Sequence, residues 1–564
     1  MKKIKQIVLT PVILGSVFFS TLTIVGCSKE SAQPERRMIS APQSENQTGY
    51  VIDLSDDAEN PEKIEATVTA LEAKGGRIRS INPRHGLFEV YGLSTEEIGE
   101  KVPHSQFHKN VFTRKKQQQP TIRIQNYCHR IPTAPQMTLQ AEVGGSPLLP
   151  EDPVLMNRRN TKGFSAHVQF TGVQPEYSWT VFAPMTSVQL KRKITGPLVQ
   201  FLPDELGEYE VYLVVKLSET HACIRNFMFG VTENQPFTGA TTARPLPEMD
   251  RLAQFPHLNS LGLGNAWKFA SGYNVKIAVL DTGMDYNHPD LSANVDVKTA
   301  ELANGRDDDG NTFIDDNIGW DFVNNDNMPY DDDMHGTHVA GLSGSYVGVA
   351  PAAKLLPVKV LGPFGGDMAS LAGAIYYAVD SKARIINMSL GGNEPVPSLE
   401  KAIAYAAQKG VLVVVAAGND SVDIDLKPTY PASYVSPTLI TVAATDLMGN
   451  LTTYTNVGRT HVAIAAPGGS EADGGLISLL YKNRYNKKYI PLSGTSMATP
   501  IISGAAALLI SVKPTLTASQ VKALLLSSGT MRTDYGGKIS SQKFVNINAA
   551  LQTLRAPRLI PPLD

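Results

Sequence analysis

Four short stretches carry side chains whose types and order suit one reaction. Near the C-terminal end, Leu492-Ser493-Gly494-Thr495-Ser496-Met497-Ala498-Thr499-Pro500 runs straight into the apolar run Ile501 to Ile510. This pattern predicts a buried helix with Ser496 in its first turn, where unpaired N–H groups and the positive end of the helix dipole gather. A serine so placed can attack a carbonyl while its own N–H holds the oxygen that turns negative. The plain alternative is a helix N-cap. Upstream, an apolar strand Val275 to Leu280 ends in Asp281-Thr282-Gly283, and His335 opens the small-residue helix His335-Gly336-Thr337-His338-Val339-Ala340-Gly341. A second strand, Val411 to Ala416, delivers the carboxamide of Asn419. The chemistry needs these types: His335 to take the hydroxyl proton and return it to a leaving amine, Asp281 to fix the imidazole tautomer, and Asn419 with the Ser496 N–H to bind an oxyanion. Each residue alone is an ordinary turn or helix-end residue; all four at the same kind of sheet edge are not.

The elements that would position them follow from the hydrophobic pattern. Continuous apolar runs at Val275 to Leu280, Lys354 to Leu361, Arg384 to Ser389, Val411 to Ala416 and Leu439 to Ala443 predict strands covered on both faces. Helical stretches at Ser370 to Ser381 and Ser398 to Lys409 alternate with them. The expectation is an α/β fold with a mostly parallel sheet, its site at the C-terminal ends of the strands.

Asp-Thr-Gly, His-Gly-Thr-His-Val-Ala-Gly, Ala-Ala-Gly-Asn and Gly-Thr-Ser-Met-Ala-Thr-Pro, in that order, resemble the subtilisin family of serine peptidases over about residues 249–553, within a peptidase domain expected at 245–555. The resemblance implies a serine endopeptidase with Asp281, His335 and Ser496 as its triad and Asn419 in the oxyanion hole. It also implies a specificity strand through Ser389, Leu390 and Gly391, and a backbone-pairing edge at Gly365 and Gly366 for protein or peptide substrates. Two competing motif readings fail. Aspartic peptidases need a second Asp-Thr-Gly and an all-β fold. The serine turn is one residue short of a nucleophile elbow, and α/β-hydrolases place Asp and His after Ser. A catalytically silent binding protein on the same fold and a maturation protease of narrow specificity are the alternative functions.

Between Asp281 and His335 lies Arg306-Asp307-Asp308-Asp309-Gly310-Asn311-Thr312-Phe313-Ile314-Asp315-Asp316. Alternate acidic side chains around a glycine turn offer the hard oxygens calcium takes, and subtilases carry a similar insertion. Asp307, Asp309, Asn311, Asp316 and the Phe313 carbonyl are the expected ligands; a solvated acidic loop is the alternative.

The 564 residues allow several domains, and a net charge of −2 gives no sign of a nucleic-acid partner. Lys2, Lys3 and Lys5 precede an apolar run Ile7 to Val25 that closes on Gly26-Cys27. That is a secretory signal layout over 1–26, and its end resembles a bacterial lipoprotein signal, which implies lipidation of Cys27, export and anchoring to the cell envelope. Residues 27–48 read as a polar tether. Residues 49–116 show a β-α-β-β-α-β order, a ferredoxin-like unit that resembles the subtilase propeptide and implies a zymogen; the cut is expected between about 112 and 122, with a cut near 240–250 that releases the sandwich along with the lipid as the alternative. Residues 117–240 read as an all-β sandwich of immunoglobulin type. Gly207-Glu208-Tyr209-Glu210-Val211 there resembles a strand of polycystic-kidney-type repeats. Residues 556–564 are a tail. With Cys27 lipidated, Cys128 and Cys223 remain, and in an exported chain they are expected to form a disulfide, two unrelated thiols being the alternative.

Overall fold

The structure is a computed structural model. It describes residues 49–113 except 59, 110 and 111, the strands between 137 and 232 with part of their connections, 235–239, and 248–555 except 363–364 and 482–487. The lipidation site Cys27, the tether, Cys128 of the expected disulfide and the tail 556–564 lie outside the described residues. Cys223 lies on the strand His221–Thr232.

The C-terminal half is built on a sheet whose order is Trp320–Asp321, Lys354–Lys359, Lys276–Asp281, Ile385–Met388, Leu412–Ala416, Leu439–Thr445, Ile464–Pro467, Lys543–Phe544 and Thr530–Met531. All neighbours are parallel except the last pair. The central strands are buried at nearly every position, which is why they read as unbroken apolar runs rather than alternating ones. One face packs against the helices His335–Gly344 and Thr495–Val512, the other against Met368–Asp380 and Pro397–Gln408. Met368–Asp380 starts where Asp367 caps it, the side chain accepting from Ser370 N at 2.7 Å.

Residues 50–109 form a four-stranded antiparallel sheet in the order Arg77–Asn82, Leu87–Tyr91, Tyr50–Asp53, Phe107–Lys109, with helices Pro61–Ala73 and Thr95–Gly99. This unit sits on the helix Met368–Asp380. Arg79 donates to Ser370 Oγ at 2.6 Å, Asn82 to the Gly373 carbonyl at 3.2 Å, and the His85 ring meets Asp380 at 2.7 Å while stacking on Tyr376. The strands between 137 and 232 make two sheets, of four and five strands. Ala166, Val199 and Phe201 of one and Trp179, Val181, Tyr209 and Leu213 of the other share a buried cluster.

Candidate active site

Asp281 ends the strand Lys276–Asp281 and is fully buried. His335 opens its helix, and its Nδ1 lies 2.7 Å from Asp281 Oδ1. The same carboxylate oxygen accepts the Thr282 N–H at 2.7 Å, so the acceptor is fixed from two sides. Local sequence explains the close approach. A side chain on Gly283, at φ 106°, would meet the Tyr330 carbonyl at 2.6 Å, and one on Gly336 would press on the Gly283 carbonyl. Only glycine lets the Asp-Thr-Gly turn and the first turn of the histidine helix touch.

A buried carboxylate that sequence reasoning missed holds the two together. Asp331 Oδ1 accepts from Thr282 Oγ1 at 2.8 Å and from the N–H groups of Asp333 and Met334 at 3.0 and 3.1 Å. Its Oδ2 accepts from Thr337 N at 2.8 Å and Thr337 Oγ1 at 2.6 Å. Thr282 Oγ1 in turn accepts from Gly336 N at 2.8 Å. Met334, just before His335, is left-handed at φ 77°. Such a conformation costs a non-glycine residue about 1–3 kcal/mol and persists where the surroundings dictate it; here Asp331 does so. Burial pushes the Asp331 carboxyl above its ordinary range, against the hydrogen bonds from Thr337 that lower it. The signals were the acidic run Asp331-Asp332-Asp333 and the threonine in His-Gly-Thr.

Ser496 lies at the second position of Thr495–Val512, where its N–H has no carbonyl one turn back. Its hydroxyl donates to the Ser389 carbonyl at 3.2 Å rather than to His335. Catalytic hydrogen bonds are commonly loose before a substrate is in place. Ser389 Oγ donates back to the Ser496 carbonyl at 2.8 Å. That carbonyl is available because Pro500, four residues on and inside the helix, has no N–H to give it. Asn419 Oδ1 accepts from Thr495 N at 2.8 Å and Thr495 Oγ1 at 2.9 Å, which turns the NH₂ group outward. A Cβ built on Gly494 would lie 3.3 Å from Asn419 Nδ2 and 3.6 Å from Ser496 N, so both donors flank one point.

The Ser389-Leu390-Gly391 segment leaves the end of Ile385–Met388 beside Ser496. Across from it, Gly365 closes a tight turn with Gly362, the two exchanging backbone bonds of 2.8 and 3.0 Å. Gly366–Asp367, where the pairing edge was expected, is paired with this chain's own Phe112–Thr113, antiparallel, Gly366 opposite Thr113 and Asp367 opposite Phe112. An apolar hollow beside that edge is lined by Val360, Leu361, Met368, Leu371 and Leu390.

In the acidic insertion the structure gathers Glu301, Asp309 and Asp316, with one carboxylate oxygen of each within 4.8 Å of the others. Asp307 is not among them. It accepts from Gly310 N, Asn311 N and Thr312 N at 2.7, 3.1 and 2.7 Å and shapes the turn. Asn311 accepts from Phe313 N at 2.7 Å and donates to Asp316 at 3.0 Å, and the Phe313 side chain packs in the core against Trp320 and Tyr377. Glu301 was missed because it precedes the insertion.

Residues 272–546 match the family model described as the subtilase family. The chain is 38% identical over 254 residues to thermitase of Thermoactinomyces vulgaris, covering 44% of this chain and 78% of that protein. It is 38% identical over 275 residues to the major intracellular serine protease of Bacillus subtilis (strain 168), covering 47% and 75%. It is 34% identical over 291 residues to subtilisin DY of Bacillus licheniformis, covering 50% and 92%. The family match leaves residues 1–271 and 547–564 outside it.

Proposed function

Because this chain belongs to the subtilase family of serine peptidases, we propose that it is an exported endopeptidase, made as a lipid-anchored zymogen and parted from its lipid by processing, that cuts peptide bonds with Asp281, His335 and Ser496. The observation that carries the reading is the 2.7 Å bond between His335 Nδ1 and Asp281, on the same rim as the paired donors Asn419 Nδ2 and Ser496 N–H.

A peptide lies extended between Gly366–Asp367 and Ser389-Leu390-Gly391. Ser496 Oγ turns from the Ser389 carbonyl to the free imidazole nitrogen of His335, which takes its proton as the oxygen attacks the scissile carbonyl. Asp281 stabilises the imidazolium. Asn419 and the Ser496 N–H hold the oxyanion, and the preorganised donors need not reorient as the charge forms. His335 then protonates the leaving amine, and water reverses the sequence to release the acid. Comparison of wild type with Ser496→Ala on casein and on a fluorophosphonate probe tests this. Labelling and cleavage that both need Ser496 are expected; absence of labelling in the wild type overturns the reading, and labelling without casein cleavage points to a narrow substrate.

Pairing of Phe112–Thr113 with the substrate edge supports the zymogen reading, since a strand of the chain itself occupies the place an extended substrate would take. The cut then falls between about 112 and 122. The basic start, apolar run and Gly26-Cys27 ending support export and lipidation; incorporation of labelled palmitate that Cys27→Ala abolishes is the expected result.

Calcium fits the insertion. Asp316 Oδ1 and Glu301 Oε2 are buried without a hydrogen-bond partner, and unpartnered buried carboxylate oxygens suit a hard cation. Glu301, Asp309 and Asp316 would hold it. The Lys298 ammonium already contacts Asp316 and Asp309, so the ion would enter against a resident positive charge. Calorimetric titration should show calcium binding together with a rise in Tm. Neither effect in wild type, or both intact in Asp316→Asn, removes the site.

A further inference from the structure

The buried ammonium of Lys359 has no part in the chemistry above. Its strand lies beside that of Asp281 in parallel register, with Lys359 directly opposite Asp281. The side chain is 1% exposed. Its Nζ donates to the Thr282 carbonyl at 2.6 Å, Asp332 Oδ1 at 2.7 Å and the Leu361 carbonyl at 3.0 Å. An ammonium has three protons, and all three are used.

The three acceptors belong to three working segments. Thr282 follows the catalytic acid. Asp332 adjoins Asp331, which clamps the first turn of the histidine helix. Leu361 opens the stretch that leads to Gly365 and Gly366. The charged groups facing Lys359 are Asp332, Asp321 and Asp331. Burial works to lower the Lys359 pKa, and these carboxylates outweigh it and hold it above its ordinary value. Burial pushes the Asp332 carboxyl up, and the Lys359 ammonium beside it pulls it back down. A buried ion pair does little for stability compared with apolar residues of the same volume. What it supplies here is a fixed distance between segments.

We propose that Lys359 is a positioning residue: one ammonium sets the separation of the Asp281 turn from the His335 loop, so that the Asp281–His335 bond is preformed. The proposal rests on the triad reading and fails separately from it. Variants are made from the full chain and matured in trans by a trace of wild type, with Ser496→Ala as the background control. Lys359→Met alone strands a buried carboxylate and is expected to lower Tm. Lys359→Met with Asp332→Leu removes both charges and should recover Tm. Its kcat is expected to stay at least tenfold down, with KM within threefold and fluorophosphonate labelling slowed to match. Lys359→Arg keeps the charge but cannot place three donors at one point; it should fold, and lose kcat by a similar factor at unchanged KM. Wild-type kcat in the double variant or in Lys359→Arg overturns the proposal, as does a loss that lies in KM. If wild type itself shows no Ser496-dependent labelling, the peptidase reading falls instead.

Discussion

Asn419 is anchored by one end and available at the other. Its oxygen is committed to Thr495, so in the proposed mechanism the NH₂ does not have to choose a rotamer at the moment of bond making. Loss of one such amide donor from subtilisin costs about 10²–10³ in kcat. Asn419→Ala is expected to show a loss of that order with KM nearly unchanged, measured by steady-state hydrolysis of a peptide amide. Two histidines make the fold sensitive to acid. His257 and His338 are both buried and held neutral, their pKa values depressed by burial to about 3. Neither His257 nitrogen has a partner among the described residues. In the unfolded chain each takes a proton near pH 6.5. The folded state therefore binds fewer protons between pH 6.5 and about 3, and stability falls as pH drops through that window, by up to about 1.4 kcal/mol per pH unit for each group. Tm measured from pH 7 to 5 should fall, and His257→Leu should fall less steeply than wild type.

At the scale of elements, the nucleophile's helix is defined by a residue helices usually exclude. Pro500 frees the Ser496 carbonyl, which Ser389 Oγ then engages, and so the segment proposed to line the specificity pocket is tied to the backbone of Ser496. Pro500→Ala would return the N–H that claims that carbonyl. Interior proline costs a helix about 3 kcal/mol, so Tm is expected to hold or rise while kcat drops several-fold; a parallel fall of Tm and kcat would show that the proline only packs. This half of the chain was legible because its strands are buried on both faces and its catalytic residues sit in glycine-rich turns that allow close approach. Val413-Val414-Val415 and the run after Ser496 announce themselves. Element bounds shift by a residue or two: the strand Lys276–Asp281 includes Asp281, and the helix Met368–Asp380 begins before the expected Ser370. Lys359 was illegible, because nothing in the run Lys354 to Leu361 marks its inner lysine as buried, and only the fold brings three acceptors to it. Glu301 was illegible for the same reason: a loop's ligands need not lie inside the loop. The Asp307 and Asn311 oxygens accept from backbone N–H groups of the turn, because the spacing that suits a cation also suits turns.

At the scale of the whole molecule, the β-rich region between 137 and 232 is stitched to the catalytic half. Tyr286, Tyr330, Leu480 and Tyr481 belong to the same buried cluster as Trp179, Tyr209 and Val231. The chain leaving the last strand is held as well. Tyr286 Oη donates to the Gln235 carbonyl, Thr238 N donates to Asn287 Oδ1 at 2.9 Å, and Asn287 Nδ2 donates to the Pro236 carbonyl at 3.0 Å. These contacts sit close to the centre, since Tyr286 lies five residues after Asp281 and Tyr330 five before His335. Releasing the β-rich region by a cut near 240–250 would bare several large side chains, each worth roughly 1.5–3 kcal/mol when buried. A cut between about 112 and 122 leaves that cluster whole and parts only the unit seated on Met368–Asp380. The mature enzyme is therefore expected to keep the β-rich region, and Edman sequencing should find its N-terminus within that window. An enzyme engineered to start near 245 should melt lower and show exposed apolar surface by dye binding. A natural N-terminus beyond Gly239, with full stability, would mean that the shared cluster serves folding and is discarded afterwards.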